Sequence, residues 1–192
     1  MNKEKEVRCL NVEFKALDND DDKMIIEGYA ITFNRPATHY GFTEIIDSKS
    51  LDNCDMSDVP LKYNHDDSHL LMARTRNGSL KLNVDSIGLK ITAELIDTQS
   101  NRDIYKSIKA GLLDKMSFAF TTKTENYDYD TDTRTILEID KLFDVSVVDT
   151  PFYDSTSIFA RKIDSSEEYY KQKQEEKRKL EVAKRELLEK LG

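Results

Sequence analysis

Two stretches of strict alternation constrain this chain more than any other feature. Ser79-Leu80-Lys81-Leu82-Asn83-Val84 puts an apolar side chain at every second position. After Asp85-Ser86-Ile87-Gly88, the pattern resumes in Leu89-Lys90-Ile91-Thr92-Ala93-Glu94-Leu95. A period of two is the signature of strands with one face buried, because successive side chains point to opposite sides of a sheet. Asn77-Gly78, lying between Met72–Arg76 and Ser79–Val84, reads as a further hairpin turn, since both residues tolerate positive φ. Two hairpins with this alternation imply an antiparallel sheet.

Much of the remaining chain extends that sheet. Met24–Phe33 is rich in β-branched and aromatic residues and stops at Asn34-Arg35-Pro36. Phe42–Ile46 and Val59–Asn64 read as short strands, and Asp47–Leu51 as the opening of a helical turn. Met116–Thr121 is a strand, Glu125–Thr133 an acidic, tyrosine-bearing loop, and Thr135–Val148 a long strand stopped at Thr150-Pro151. Ser157–Ala160 reads as a last short strand. One internal helix is expected over Asn101–Gly111: Ile104, Ile108 and Leu112 recur every four residues, and Gly111 is suited to end it. About seven strands with one internal helix predict an α+β fold, mostly an antiparallel β-barrel with surrounding helices.

The charge is unevenly distributed. The chain has 29 Lys and Arg against 37 Asp and Glu, a formal charge of -8. The acids and bases from Asp164 to Gly192 cancel, so residues 1–163 carry the whole excess. An acidic body argues against nucleic-acid binding, which usually needs a basic surface. Cys9 and Cys54 are too few for a disulfide scaffold. No apolar run is long enough for a membrane-spanning helix, and Met1–Glu6 lacks the apolar core of a secretory signal. The segment after Asp164 contains no Pro, and Ser165 or Ser166 is placed to cap a helix with Glu168 near its third position. Leu180, Ala183, Leu187 and Leu191 form one narrow seam, too short for an independent coiled coil. The expected division is therefore residues 1–162 as the barrel domain and 163–192 as a charged helical tail that docks weakly or needs a partner.

Few residues are suited to chemistry. Of His39, His65 and His69, only His65 sits at a strand end, fixed on one side and open on the other, as a general base requires. His65 and His69 would share a face as metal ligands only on a helix, and Asn64–Ser68 is poor helix material, so no metal or cofactor is expected. In Met116-Ser117-Phe118-Ala119-Phe120 the two phenylalanines share one face. If they fill the core, Ser117 points outward beside small Ala119, where it is either an ordinary surface serine or a nucleophile awaiting a base. On the long strand, Ile139, Phe143, Val145 and Val147 form one face, with Lys141 the exception. Glu138, Asp140, Asp144 and Ser146 form the other, broken by Leu142 and Val148. Asp144 should thus lie outside the barrel, where a carboxylate can orient an imidazole.

The order of these segments resembles a known family. Asn64-His65-Asp66 follows an extended strand; the hairpins and a helix ending at Gly111 come next; then Met116–Phe120 and Leu142-Phe143-Asp144-Val145-Ser146-Val147-Val148, closed by Pro151. Ile26–Ala30 with Phe33-Asn34, Ala73–Thr75 and Gly88-Leu89 support it. Over about residues 8–160 the chain resembles the prohead (head maturation) serine proteases of tailed bacteriophages. The resemblance implies a β-barrel similar to the herpesvirus assembly proteases, with Ser117 as nucleophile and His65 as base. Asp144 is the matching acid, although many members carry Glu there, and Glu138 and Asp140 are alternatives. Pro151-Phe152 departs from the family's usual Pro-Ala.

The implied activity is acyl transfer to Ser117 in a serine endopeptidase of phage capsid maturation. Its expected partners are the major capsid protein and scaffold protein, with the protease itself among its substrates and possible homo-oligomers. Its expected location is the host cytoplasm, inside the assembling procapsid, in a phage or prophage setting without nucleic-acid or membrane binding. Two other functions fit the same residues: a non-catalytic procapsid component of the same fold, and an acidic β-barrel module that binds a partner through its C-terminal helix.

Overall fold

The computed structural model describes residues 4–10, 14–17, 23–39, 41–149 and 165–191. Within them the chain is a mixed α+β protein, mostly strands, with two α-helices. The strands are β1 (Glu6–Leu10), β2 (Phe14–Leu17), β3 (Ile25–Thr32), β4 (Ala37–His39), β5 (Phe42–Ile46), β6 (Pro60–Tyr63), β7 (Ala73–Arg74), β8 (Leu80–Val84), β9 (Gly88–Glu94), β10 (Lys115–Asp128) and β11 (Thr133–Val148). The helices are α1 (Gln99–Lys109) and α2 (Ser165–Leu191). The expected strand at Ser157–Ala160 lies outside the described residues, as do the side chains of Ser165 and Ser166.

The strands form two sheets. One runs β1-β10-β11-β5-β4, with β6 paired to β11 and β7 to β6; the other runs β2-β3-β9-β8. Their facing sides build one core. Leu61, Phe118, Phe120, Leu142, Val145 and Val147 come from the first sheet, and Ile26, Ile31, Leu89 and Ile91 from the second. Each such side chain contributes roughly 1.5–3 kcal/mol by leaving water. The pairing among the described residues does not close into the expected barrel. Nor is it wholly antiparallel, for β5 and β6 both pair with β11 in parallel.

The β8–β9 hairpin forms as the alternation requires. Asn77-Gly78 differs from expectation. Thr75–Asn77 is a single 3-10 turn ended by Gly78 at φ 77°, and β7 pairs with β6. The segment Glu125–Thr133 differs too. β10 continues through Asp128 and turns back into β11, because its ladder holds as far as Asp128↔Thr133. Helix α1 begins two residues earlier than expected, where the Thr98 side chain accepts the Asn101 N–H at 3.2 Å. Ile108 is buried in the core, Leu112 lies exposed past the helix end, and Gly111 takes a left-handed φ of 71°.

Bulges explain the mixed parity of β11. Asp144 pairs with Ala119 and Leu142 with Phe120, which leaves Phe143 as an extra residue. The bulge rotates Leu142 into the core, while Phe143 turns outward beneath the Lys5 and Lys141 ammonium groups. Phe143, expected inside, is therefore outside.

The same sheet carries a buried ionic plug at one end of the core. Arg8 and Arg134 are buried with Glu44 between them: Arg8 Nε donates to Glu44 at 2.6 Å, and Arg134 Nη1 at 2.8 Å. Arg134 also donates to Glu6 and Glu125. Helix α2 covers this plug. Tyr169 stacks 4.4 Å from the Arg134 guanidinium and donates to Glu125 at 2.6 Å, Tyr170 stacks on Phe42, and Tyr129 donates to Glu176. The first half of the tail thus docks through aromatic residues. Leu180 and Leu187, on the seam read from the sequence, are 44% and 59% exposed.

Candidate active site

A single row of paired residues crosses four strands of the larger sheet. Lys62 on β6 pairs with Ser146 on β11, Ser146 with Ser117 on β10, and Ser117 with Cys9 on β1. Phe118 and Phe120 fill the core, with their rings stacked 5.1 Å apart, so Ser117 occupies the opposite face of β10. It is not an exposed surface serine, however. Its neighbours on that face cover it, and it is only 2% exposed.

His65 reaches this row through an unusual turn. β6 ends at Tyr63, and both Asn64 and His65 adopt left-handed backbone, with φ of 52° and 55°. Asn and His are among the few side chains that tolerate this region. The turn is held by Asn64 N–H donating to Val147 O at 2.9 Å and by Asp66 N–H donating to Tyr63 O at 3.0 Å. It folds the imidazole back across β11 toward β10.

Three side chains meet there in series. Ser117 Oγ lies 2.6 Å from His65 Nε2, and His65 Nδ1 is hydrogen-bonded to Asp144 Oδ1. With the Nδ1 proton donated to Asp144, Nε2 is left as the acceptor for the serine proton. The Ser117 hydroxyl has a second acceptor, Arg8 O at 2.9 Å. Asp144 is fully buried. Burial alone would raise its pKa, but the His65 hydrogen bond and charge, together with Lys5, hold it down to about 2, so it is a carboxylate at neutral pH. Its two oxygens are divided: Oδ1 faces His65 and Ser146, while Oδ2 faces Lys5 Nζ at 3.2 Å and Lys62 Nζ at 3.8 Å.

Other sequence candidates lie elsewhere. Glu138 pairs with Lys123, and Asp140 is exposed; they lie six and four residues from Asp144, on the order of 20 and 13 Å along a strand. His69 is exposed and bonded to Asp66 at 2.9 Å, and His39 lies on β4. Sequence reasoning missed Ser146, Lys5 and Lys62 as members of the cluster. Ser146 left one signal, being two residues from Asp144 and so on the same strand face. The two lysines left none.

The family model described as caudovirus prohead serine protease matches residues 10–179. The chain belongs to that family. This makes it a serine protease of phage capsid maturation, associated with phage capsid proteins and located within the assembling procapsid. The matched span includes His65, Ser117 and Asp144. No curated protein and no solved structure matches the chain. No helix among the described residues is long and apolar enough to cross a membrane.

Proposed function

We propose that this prohead protease is an endopeptidase in which Ser117 is the nucleophile, His65 the base and Asp144 the orienting acid. Its substrates are scaffold protein or the scaffold-like segment of the major capsid protein, and its own chain. The unbroken contact from Asp144 through His65 to Ser117 carries this reading. Asp144 is preferred to Glu138 and Asp140 because its carboxylate contacts the imidazole.

The chemistry follows from the order of contacts. Ser117 Oγ attacks the scissile carbonyl carbon as its proton passes to His65 Nε2. The C–N bond then breaks as the imidazolium returns that proton to the leaving amine. Asp144 holds the ring by its Nδ1 side and balances its charge in between. Water, deprotonated by the same imidazole, releases the acyl group. Before attack the serine proton must favour His65 over its other acceptor, Arg8 O.

Residues 1–162 form the catalytic domain in this proposal, the two sheets packing as an open form of the assembly-protease barrel. Residues 163–192 are the extension that recruits the enzyme to scaffold and is itself trimmed, and self-association belongs to the same scheme. The test is mass spectrometry of the chain co-expressed with its capsid protein. The unaltered enzyme should yield a product ending at roughly residues 155–175 that vanishes in Ser117→Ala, while Ser117→Ala stays folded, at a cost of about 1–3 kcal/mol because His65 Nε2 and Arg8 O lose the hydroxyl. Undiminished cleavage by Ser117→Ala would remove the proposal.

A further inference from the structure

We propose that Ser146 is a positioning residue for this reaction, a fourth member of the cluster acting through His65; the inference rests on the reading of His65 and Ser117 given above. Ser146 is fully buried on β11, between Asp144 of the same strand and His65 of the turn that follows β6. Its Oγ lies 3.1 Å from Asp144 Oδ1, 3.1 Å from His65 Nδ1 and 3.3 Å from His65 backbone N. A hydroxyl has one proton and two lone pairs. The carboxylate is an acceptor only, so the proton goes to Asp144. The lone pairs then accept the His65 backbone N–H and share the Nδ1–H with Asp144.

This arrangement fixes two things at once. The His65 N–H belongs to a residue held at φ 55° directly after another left-handed residue, and Ser146 gives it an acceptor there. Such backbone costs of order 1 kcal/mol or more unless its surroundings hold it. The same oxygen flanks the Nδ1 side of the ring, so the imidazole cannot swing off Asp144 without leaving Ser146 as well. Ser146 is suited to this because β11 is paired on both sides, with Ser117 on β10 and Lys62 on β6. It touches neither the serine oxygen nor any reacting atom in the proposed step. Its effect runs through the orientation of the base.

The test is labelling of Ser117 with a fluorophosphonate probe, read as two quantities: the fraction of sites that react and the rate at each reacting site. Ser146→Ala should lower the per-site rate about ten- to a hundredfold, the loss expected for one hydrogen bond to a charged group. Ser146→Thr, which keeps the hydroxyl, should restore most of it. A merely structural serine would instead reduce the fraction of competent sites and leave their rate unchanged, and that result overturns the inference. Should Ser146→Ala not fold, Ser146→Cys replaces it. That variant keeps the volume with a weak donor and acceptor, and an unaltered per-site rate there equally overturns the inference. The two levels remain separable. Labelling that persists in Ser117→Ala defeats the assignment of the nucleophile, whereas labelling abolished by Ser117→Ala but indifferent to position 146 defeats only the role of Ser146.

Discussion

Asp144→Asn tests the cluster in two independent ways. The first is catalytic. Asp144 accepts the Nδ1 proton of His65 and so leaves Nε2 bare toward Ser117. An amide offers its NH2 group instead and favours the opposite tautomer, with the proton on Nε2, where it blocks uptake of the serine proton. In the serine-protease template this error costs about 10⁴ in kcat, or about 5.4 kcal/mol in the barrier. The second is structural. The Asp144 pKa is held down to about 2 from the usual aspartate value of about 3.9, which corresponds to roughly 2–3 kcal/mol of folding stability. A lowered pKa stabilises the fold above the unfolded-state value and ceases to do so as pH falls through about 2. At pH 7, Asp144→Asn should therefore melt about 4–12 °C below the unaltered protein. That gap should close progressively between pH 4 and 2. Probe labelling at pH 7 and thermal melts across pH 2–7 measure the two effects. Labelling within threefold of the unaltered enzyme, or a melting gap that does not depend on pH, would refute the reasoning.

Arg134→Met should be among the costliest substitutions in the protein, because it leaves the buried Glu44 and the largely buried Glu6 with only Arg8 between them. A loss of about 3–5 kcal/mol, or about 6–20 °C in melting temperature, is expected; a drop under about 2 °C would contradict it. Burial alone would raise the Glu6 pKa, but Arg134 and Arg8 hold it at about 2. The stability it adds is present above the usual glutamate value and is lost as pH falls through about 2, so acid melts of Arg134→Met should lack that part of the decline. Gly88→Ala should destabilise by about 1–3 kcal/mol or more, because the new Cβ would stand 1.9 Å from the Ile31 carbonyl oxygen; an unchanged denaturant midpoint would count against the β3–β9 register.

The parts of this structure that were legible in the sequence are those where one residue's neighbours decide its state. The alternation of β8 and β9, the apolar runs of β3, β5 and β6, and the existence of α1 with Ile108 facing the core are local patterns, and they folded as read. His65, Ser117 and Asp144 were legible as candidates because each stood beside a strand end or on a definable strand face. What was not legible depends on pairing. A bulge such as that at Phe143 leaves no trace in composition, yet it reverses inside and outside for Leu142 until the next register shift, at Asp140, restores the pattern at Ile139. Glu125–Thr133 looks like a loop because its polar side chains hide a ladder that only the partner strand reveals. The plug of Arg8, Glu44 and Arg134 is illegible for the same reason: in sequence these are three isolated charges, and only the register joins them. The docking of α2 through Tyr169 and Tyr170, rather than through its leucine seam, follows from that plug, since the helix settles where a cation lies under an aromatic ring.

Arg8 belongs to two arrangements at once: its side chain sits in the plug, and its peptide oxygen touches the hydroxyl of Ser117. The two termini are therefore unequal handles. A fusion ahead of β1 pulls on the backbone that shares the Ser117 hydroxyl with His65, and so acts directly on that cluster. A fusion beyond α2 pulls first on a helical segment whose Leu180 and Leu187 already stand in water. Kinetics measured with the two kinds of tag should be compared before any rate is taken as the enzyme's own.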